Sequence, residues 1–186
     1  MIPRALLPSV LVSISLALAS AQQLPRKAPD WNISAIDGKP LALSQYHGKS
    51  VVLAFILTTC PHCRLTVGYL AKDQQTYGPR GFQVLASAID MGVPGVIPPF
   101  VKEFQLPFPV GYNTDGNAIL ALMGFSREHL PSMPFLLFID RQGTIREQHD
   151  GSQEESYFNQ RQEQNLQKSI EALLAGGGPN TARRSR

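Results

Sequence analysis

The two cysteines of this 186-residue chain lie three positions apart in the run Cys60-Pro61-His62-Cys63. An apolar run over 51–57 precedes them and predicts a buried strand, and a proline directly after the first cysteine suits the first turn of a helix. Unpaired backbone N–H groups and the helix dipole stabilise a thiolate at a helix N-terminus. A thiolate attacks disulfides, and a second cysteine can then close on the first. The spacing therefore favours thiol–disulfide exchange through a redox-active Cys60–Cys63 disulfide.

Two other uses of a cysteine pair fit the spacing less well. A structural disulfide normally closes a loop longer than two residues. A structural zinc site needs four ligands, and the sequence contains no second CxxC, no HxxxH and no CxxH. We therefore predict a redox pair with no metal and no cofactor.

The first 21 residues predict a signal peptide. Arg4 supplies a positive start, residues 5–18 are mainly apolar, and the small residues at 19–21 form a cleavage site. Export would place the protein in the periplasm or outside the cell, where cysteines are exposed to oxidising conditions. After cleavage we expect no stable membrane span, and a leader that stays uncleaved and holds the protein at the membrane is the alternative.

Residues 22–175 are enough for one domain with its own core, and residues 176–186 predict a disordered, Gly/Pro-interrupted tail. The formal net charge of +3 comes from the two ends of the chain. Four of the 17 basic residues lie there, namely Arg4, Arg183, Arg184 and Arg186, so 13 remain against 14 acidic residues. A nearly neutral domain gives no basis for nucleic-acid binding.

The alternation of apolar and polar residues predicts an α/β domain with a mixed central sheet flanked by helices. Strands over 31–36 and 41–43, joined by a turn at 37–38, predict an N-terminal β-hairpin, preceded by a linker over 22–30. The remaining predicted elements are strands over 51–57, 82–89, 108–112, 135–140 and 144–148, a loop over 92–99, and helices over 61–77, 100–104, 117–123 and 154–175. Strands separated by helices predict the parallel part of the sheet, and the strand–turn–strand near the end predicts its antiparallel part.

These motifs resemble the thioredoxin fold, and specifically the TlpA/ResA-like branch of exported thiol–disulfide oxidoreductases in the thioredoxin-like (redoxin) superfamily. The four stretches that carry the resemblance are Ala28–Trp31 with Asp37-Gly38, Gly48–Cys63, Phe100–Gly116 and Met133–Gly143. They are similar to the branch's N-terminal hairpin, active-site strand and helix, central helix–strand insertion and cis-proline strand. The resemblance covers residues 28–174 and implies protein thiols and disulfides as substrates, together with a redox partner protein.

The resemblance also assigns a role to Pro134. A proline before a hydrophobic strand is common at strand entry, because it cannot donate to the ladder. In the family this proline is cis, faces the CxxC motif and turns the preceding backbone, here that of Met133, toward a substrate bound as an added strand. We predict that Met133 and Pro134 support Cys60 and Cys63 in this way.

The sequence departs from the family at positions that affect redox poise. Thr59 replaces an aromatic residue, and Ala54 and Thr66 stand where reducing members carry carboxylates. Those carboxylates would accept protons from the second cysteine. His62 can donate to the thiolate, and its imidazolium adds a positive charge beside it, which makes the disulfide more oxidising. These features favour an oxidising poise, although the direction of electron flow stays open.

Two other classes of protein on the same fold are alternatives. Peroxiredoxins resemble this chain at the Ala-Pro-Asp opening, but they carry a proline seven residues and a threonine three residues before the cysteine, where this chain has Leu53 and Leu57. Copper-binding assembly factors use two cysteines and a distant histidine, for which His129 or His149 would serve. Their cysteines are four positions apart, and the spacing here is three.

Overall fold

The structure is a computed structural model that describes residues 23–153 and 156–176, so the predicted signal peptide and residues 177–186 of the predicted tail lie outside the described residues. The strands are β1 (Arg26–Lys27), β2 (Asn32–Ala35), β3 (Pro40–Ala42), β4 (Ser50–Ile56), β5 (Phe82–Ala88), β6 (Val110–Tyr112), β7 (Phe135–Ile139) and β8 (Thr144–His149). The helices are α1 (Pro61–Tyr77), α2 (Ile97–Phe104), α3 (Gly116–Met123) and α4 (Gln162–Leu174). Within the described residues, none of these helices is both long and apolar enough to span a bilayer.

The eight strands form one mixed sheet in the order β1-β8-β7-β4-β5-β6-β2-β3. β4 pairs with β5 in parallel and with β7 antiparallel, and β5 continues in parallel to β6. The β2–β3 hairpin joins the sheet through β6. The predicted α/β class, the mixed sheet, the N-terminal hairpin and the central helix–strand insertion are confirmed.

The central strand β4 is apolar along almost its whole length because both faces of the sheet are covered. All seven of its residues are buried. Alternate side chains join two separate cores: Val52, Ala54 and Ile56 pack toward α1 and α4, whereas Val51, Leu53 and Phe55 pack toward α3. Burying one such large aliphatic or aromatic side chain contributes about 1.5–3 kcal/mol. This burial fixes the position of the C-terminal end of β4, from which residues 57–60 lead into α1.

Two predicted boundaries near the middle and the start of the chain were wrong. The linker over 22–30 contains β1, which pairs with β8 at an edge of the sheet. Helix α2 begins at Ile97 rather than at 100, because Pro98 and Pro99 fall in its first turn, where a helix needs no N–H donor. The predicted loop over 92–99 is correspondingly shorter.

The final helix begins at Gln162, not at 154 as predicted. Tyr157 and Phe158 are buried, as predicted for this helix, but they lie in the turns before it. Asparagine side chains satisfy the backbone of these turns: Asn159 Oδ1 accepts from the Arg161 N–H at 2.8 Å, and Asn165 Nδ2 donates to the Tyr157 carbonyl at 2.8 Å. Such bonds compete with helix formation.

One carboxylate on the buried face of α1 is not fully hydrogen-bonded within the described residues. Asp73 is 2% exposed, and its Oδ2 has no hydrogen-bond partner in the described part of the chain. Burial raises the pKa of Asp73 to about 7, with Glu163 raising it further and Lys72 lowering it. Because the folded pKa lies above the unfolded value, the native state binds more protons between those values, and stability falls as the pH rises through that window.

We therefore expect Asp73→Asn to become more stable than the wild type as the pH rises from 4 to 8, by about 2 kcal/mol at pH 8. Asparagine cannot ionise, so it avoids the cost of a buried negative charge. Urea unfolding at several pH values measures the difference. Asp30→Asn removes an exposed carboxylate and should keep the wild-type slope, whereas parallel pH profiles for Asp73→Asn and the wild type would contradict the prediction.

Candidate active site

The first cysteine lies at the N-terminus of α1. Cys60 is the residue that precedes the helix, and its Sγ accepts a hydrogen bond from the Cys63 N–H at 3.4 Å. Pro61 occupies the first helical position, where its missing N–H leaves no intrahelical bond unmade. The Cys60 side chain is partly exposed, so a substrate sulfur can approach it.

The second cysteine is buried one turn into the helix. Cys63 is 0% exposed, and its Sγ accepts the Leu57 N–H at 3.5 Å. Burial is the main cause that raises the pKa of the Cys63 thiol; the Leu57 N–H lowers it, and the neighbouring Cys60 and Asp90 raise it further. Both cysteines are free thiols, so the structure represents the dithiol form. The difference in exposure separates an accessible sulfur from a shielded one.

The segment before β7 faces the accessible sulfur. The Cys60 thiol donates to the Met133 carbonyl at 3.8 Å, and the peptide bond between Met133 and Pro134 is cis. Gly151 packs directly against this segment and donates its N–H to the Ser132 carbonyl at 3.0 Å. The structure thus brings Met133 to the cysteine pair, although 73 residues separate it from Cys60.

The position three residues after Cys63 carries a neutral hydrogen-bonded group. Thr66 Oγ1 donates to the His62 carbonyl at 2.7 Å and accepts from Gln162 Nε2 at 2.6 Å. Both Thr66 and Gln162 are buried, at 0% and 2% exposure. The Thr66–Gln162 contact links α1 to the start of α4, and both side chains are neutral. His62 itself is exposed in that first turn.

A carboxylate outside the predicted site residues bonds the turn that leads from β4 to the cysteine pair. Asp90 follows β5, and its Oδ1 accepts from both the N–H and the Oγ1–H of Thr58 at 2.8 Å. In the parallel register Ile56 pairs with Ala88, so β4 and β5 end at the same edge of the sheet. The signal in the sequence for this contact is an acidic residue shortly after β5, the strand that pairs in parallel with β4.

His149, the other histidine considered for a copper site, is partnered within the domain. Its ring stacks on Tyr157 with centroids 3.4 Å apart, and its nitrogens lie 2.5 Å from Glu147 and 3.0 Å from Gln153. His129 is exposed in a turn closed by its backbone bonds to Ser126. Across residues 23–153 and 156–176, no group of three histidine, cysteine or acidic side chains could hold a metal ion.

The fold and the cysteine pair at the start of α1 define a thioredoxin-fold oxidoreductase. The chain belongs to the AhpC/TSA family, whose family model matches residues 24–148. Among curated proteins it is similar to the thiol–disulfide oxidoreductase ResA of Bacillus thuringiensis, with 27% identity over 131 residues, 70% of this chain and 72% of that protein. ResA of Oceanobacillus iheyensis is 29% identical over 124 residues, 64% of this chain and 61% of that protein.

Solved structures show the same fold. The crystal structure of a candidate thiol:disulfide interchange protein DsbE from Chlorobium tepidum matches with a TM-score of 0.67 and 27% identity. It covers 81% of this chain and 96% of that one. The solution structure of a thiol:disulfide interchange protein from Bacteroides has a TM-score of 0.66 at 16% identity, covering 88% of this chain and 97% of that one. The second match supports the fold alone.

Proposed function

We propose that this protein is an exported thiol–disulfide oxidoreductase that exchanges dithiol and disulfide with protein thiols through Cys60 and Cys63. The observation that carries the proposal is the asymmetry of the pair: a partly exposed sulfur at a helix N-terminus next to a fully buried one. The similarity to ResA and DsbE proteins supports the same reaction class. The signal-peptide pattern at residues 1–21 supports export to the periplasm or beyond.

The Cys60 thiolate attacks one sulfur of a substrate disulfide, forming a mixed disulfide and releasing the other substrate sulfur as a thiolate. The Cys63 thiolate then attacks the Cys60 sulfur, which forms the Cys60–Cys63 disulfide and releases the second substrate thiolate. The reverse sequence oxidises a substrate dithiol. A separate redox partner protein resets the pair after each cycle.

The backbone of Met133 lines the place where the substrate segment would bind. Its carbonyl lies near the Cys60 thiol, and Pro134 directly follows it, immediately before β7. An extended substrate segment can hydrogen-bond to an exposed backbone in this position as an added strand. Met133 and Pro134 would then hold the substrate sulfur in line with Cys60.

The reaction class is tested by assaying the purified protein for catalysed reduction of insulin disulfides and for consumption of hydrogen peroxide. We expect the first activity and not the second, because Leu53 and Leu57 replace the proline and threonine of a peroxidase site. Peroxide turnover without exchange of protein disulfides would make the thiol peroxidase alternative the correct one.

We expect the Cys60–Cys63 potential to lie above that of thioredoxin, roughly −270 mV, toward the DsbA value of about −120 mV. The His62 imidazole can donate a hydrogen bond to a thiolate of the pair, and Ala54 and Thr66 bring no carboxylate. His62→Pro should lower the potential by about 30 mV. Equilibration with glutathione measures both values.

The control for this measurement is His47→Gln, which changes a histidine that is exposed in a surface turn and should leave the potential unchanged. A wild-type potential at or below that of thioredoxin would show that the pair is poised as a reductant.

A further inference from the structure

The turn that leads from β4 to the cysteines is anchored by one carboxylate. Asp90 Oδ1 accepts two hydrogen bonds from Thr58, and Oδ2 lies 3.1 Å from the same Thr58 N–H. Thr58 is 6% exposed, so these bonds are largely shielded from water. The residue before it, Leu57, donates its N–H to Cys63 Sγ. Asp90 therefore holds the Thr58 backbone in place, one residue after the Leu57 N–H that contacts the buried Cys63 sulfur.

The Asp90 carboxylate also acts on the sulfur through its charge. It is one of the groups that raise the pKa of the Cys63 thiol, after burial and the Cys60 sulfur. A fixed negative charge disfavours a nearby thiolate, and the effect is larger where water is excluded. The hydrogen bonds to Thr58 and the charge near the Cys63 thiol therefore both come from Asp90.

Charged side chains of α1 and α2 also lie at this turn. Arg64 of α1 donates to the Thr58 carbonyl at 3.2 Å, but its guanidinium is paired with Glu103 of α2. The Met133 carbonyl, in the segment before β7, contacts the Cys60 sulfur and is uncharged. The Gln162 amide of α4 bonds Thr66, three residues after Cys63, and is also uncharged. The imidazole of His62, in the first turn of α1, is exposed.

We infer that Asp90 is a positioning residue of the exchange site, which anchors the β4–α1 turn through Thr58 and places a negative charge beside the sulfur pair. This inference rests on the proposed function. The charge slows the step in which the Cys63 thiolate attacks Cys60, breaks the bond between Cys60 and the substrate, and releases the substrate thiolate. It also favours the disulfide over the ionised dithiol and so opposes the effect of His62 on the potential.

Asp90→Asn tests the charge, because it retains Oδ1, the acceptor of both 2.8 Å bonds. We expect the release of substrate from a preformed Cys60 mixed disulfide to accelerate about fivefold at pH 7, with its pH profile moved to lower pH. The equilibrium constant with glutathione should shift about fivefold toward the dithiol protein, which corresponds to a rise of ~20 mV.

Two matched variants separate charge from anchoring. Asp90→Glu keeps the charge and should keep the wild-type pH profile. Thr58→Val loses the hydroxyl donor but keeps the N–H and the charge, so it should lower stability without moving the profile. An unchanged profile in Asp90→Asn, in a protein whose wild type exchanges disulfides, would overturn the inference. Absence of exchange in the wild type would instead overturn the proposed function.

A measurement on the wild-type sequence covers the case in which Asp90→Asn does not fold. In the reduced protein, the carboxyl 13C signal of Asp90 should shift as the Cys63 thiol ionises at high pH. The same shift should be absent in Cys63→Ser. An Asp90 signal that ignores the ionisation of Cys63 would show that the carboxylate and the sulfur do not interact.

Discussion

Cys63→Ser should convert the protein into one that retains its substrates as stable mixed disulfides on Cys60. The exposed sulfur would still attack a substrate disulfide, but the buried group that resolves the intermediate would be missing. The turnover of insulin disulfides should fall on the order of a thousandfold or more. Non-reducing electrophoresis and mass spectrometry of the trapped adducts measure the outcome.

Cys60→Ser is the matched control for this experiment. It should lose turnover to the same degree and trap nothing, because Cys63 is fully buried and cannot meet a protein disulfide. In the reduced wild type, Cys60 should accordingly be alkylated before Cys63. Adducts on Cys63, or faster alkylation of Cys63, would reverse the two roles.

Gly151→Ala should reduce disulfide exchange about tenfold to a hundredfold, because it displaces the backbone that faces Cys60. A Cβ on Gly151 would lie 2.7 Å from the carbonyl carbon and oxygen of Met133 and 3.0 Å from the carbonyl carbon of Ser132. These are main-chain atoms, so the segment before β7 must move by a substantial fraction of an ångström. Initial rates with insulin, followed at substrate concentrations below saturation, measure the loss.

Gly111→Ala provides a matched steric control elsewhere in the sheet. A Cβ there would lie 2.6 Å from the Ser34 carbonyl oxygen, in the pairing of β6 with β2. Both substitutions should lower stability by about 1–3 kcal/mol. Only Gly151→Ala should also slow exchange by the folded protein, and equal rates in the two variants would show that the Met133 backbone does not guide the substrate.

Much of the fold was predictable because it depends on local patterns. The apolar run that became β4, the turn at Asp37-Gly38 and the periodicity of α1 are each encoded within a few residues. The boundary of α4 was not, since Tyr157 and Phe158 are buried whether they lie in a helix or in a turn. Asparagine bonds to the backbone decided between the two.

The residues along the chain are enough to predict the chemistry of the site: two cysteines at helical spacing after a buried strand, and an apolar strand preceded by Met133 and Pro134. Tertiary structure alone decided which distant groups surround the sulfurs. Asp90 meets Thr58 across 32 residues, and Gly151 meets Met133 because β8 returns antiparallel beside β7. Such contacts depend on strand order and register, which bring together residues that share no local pattern along the chain.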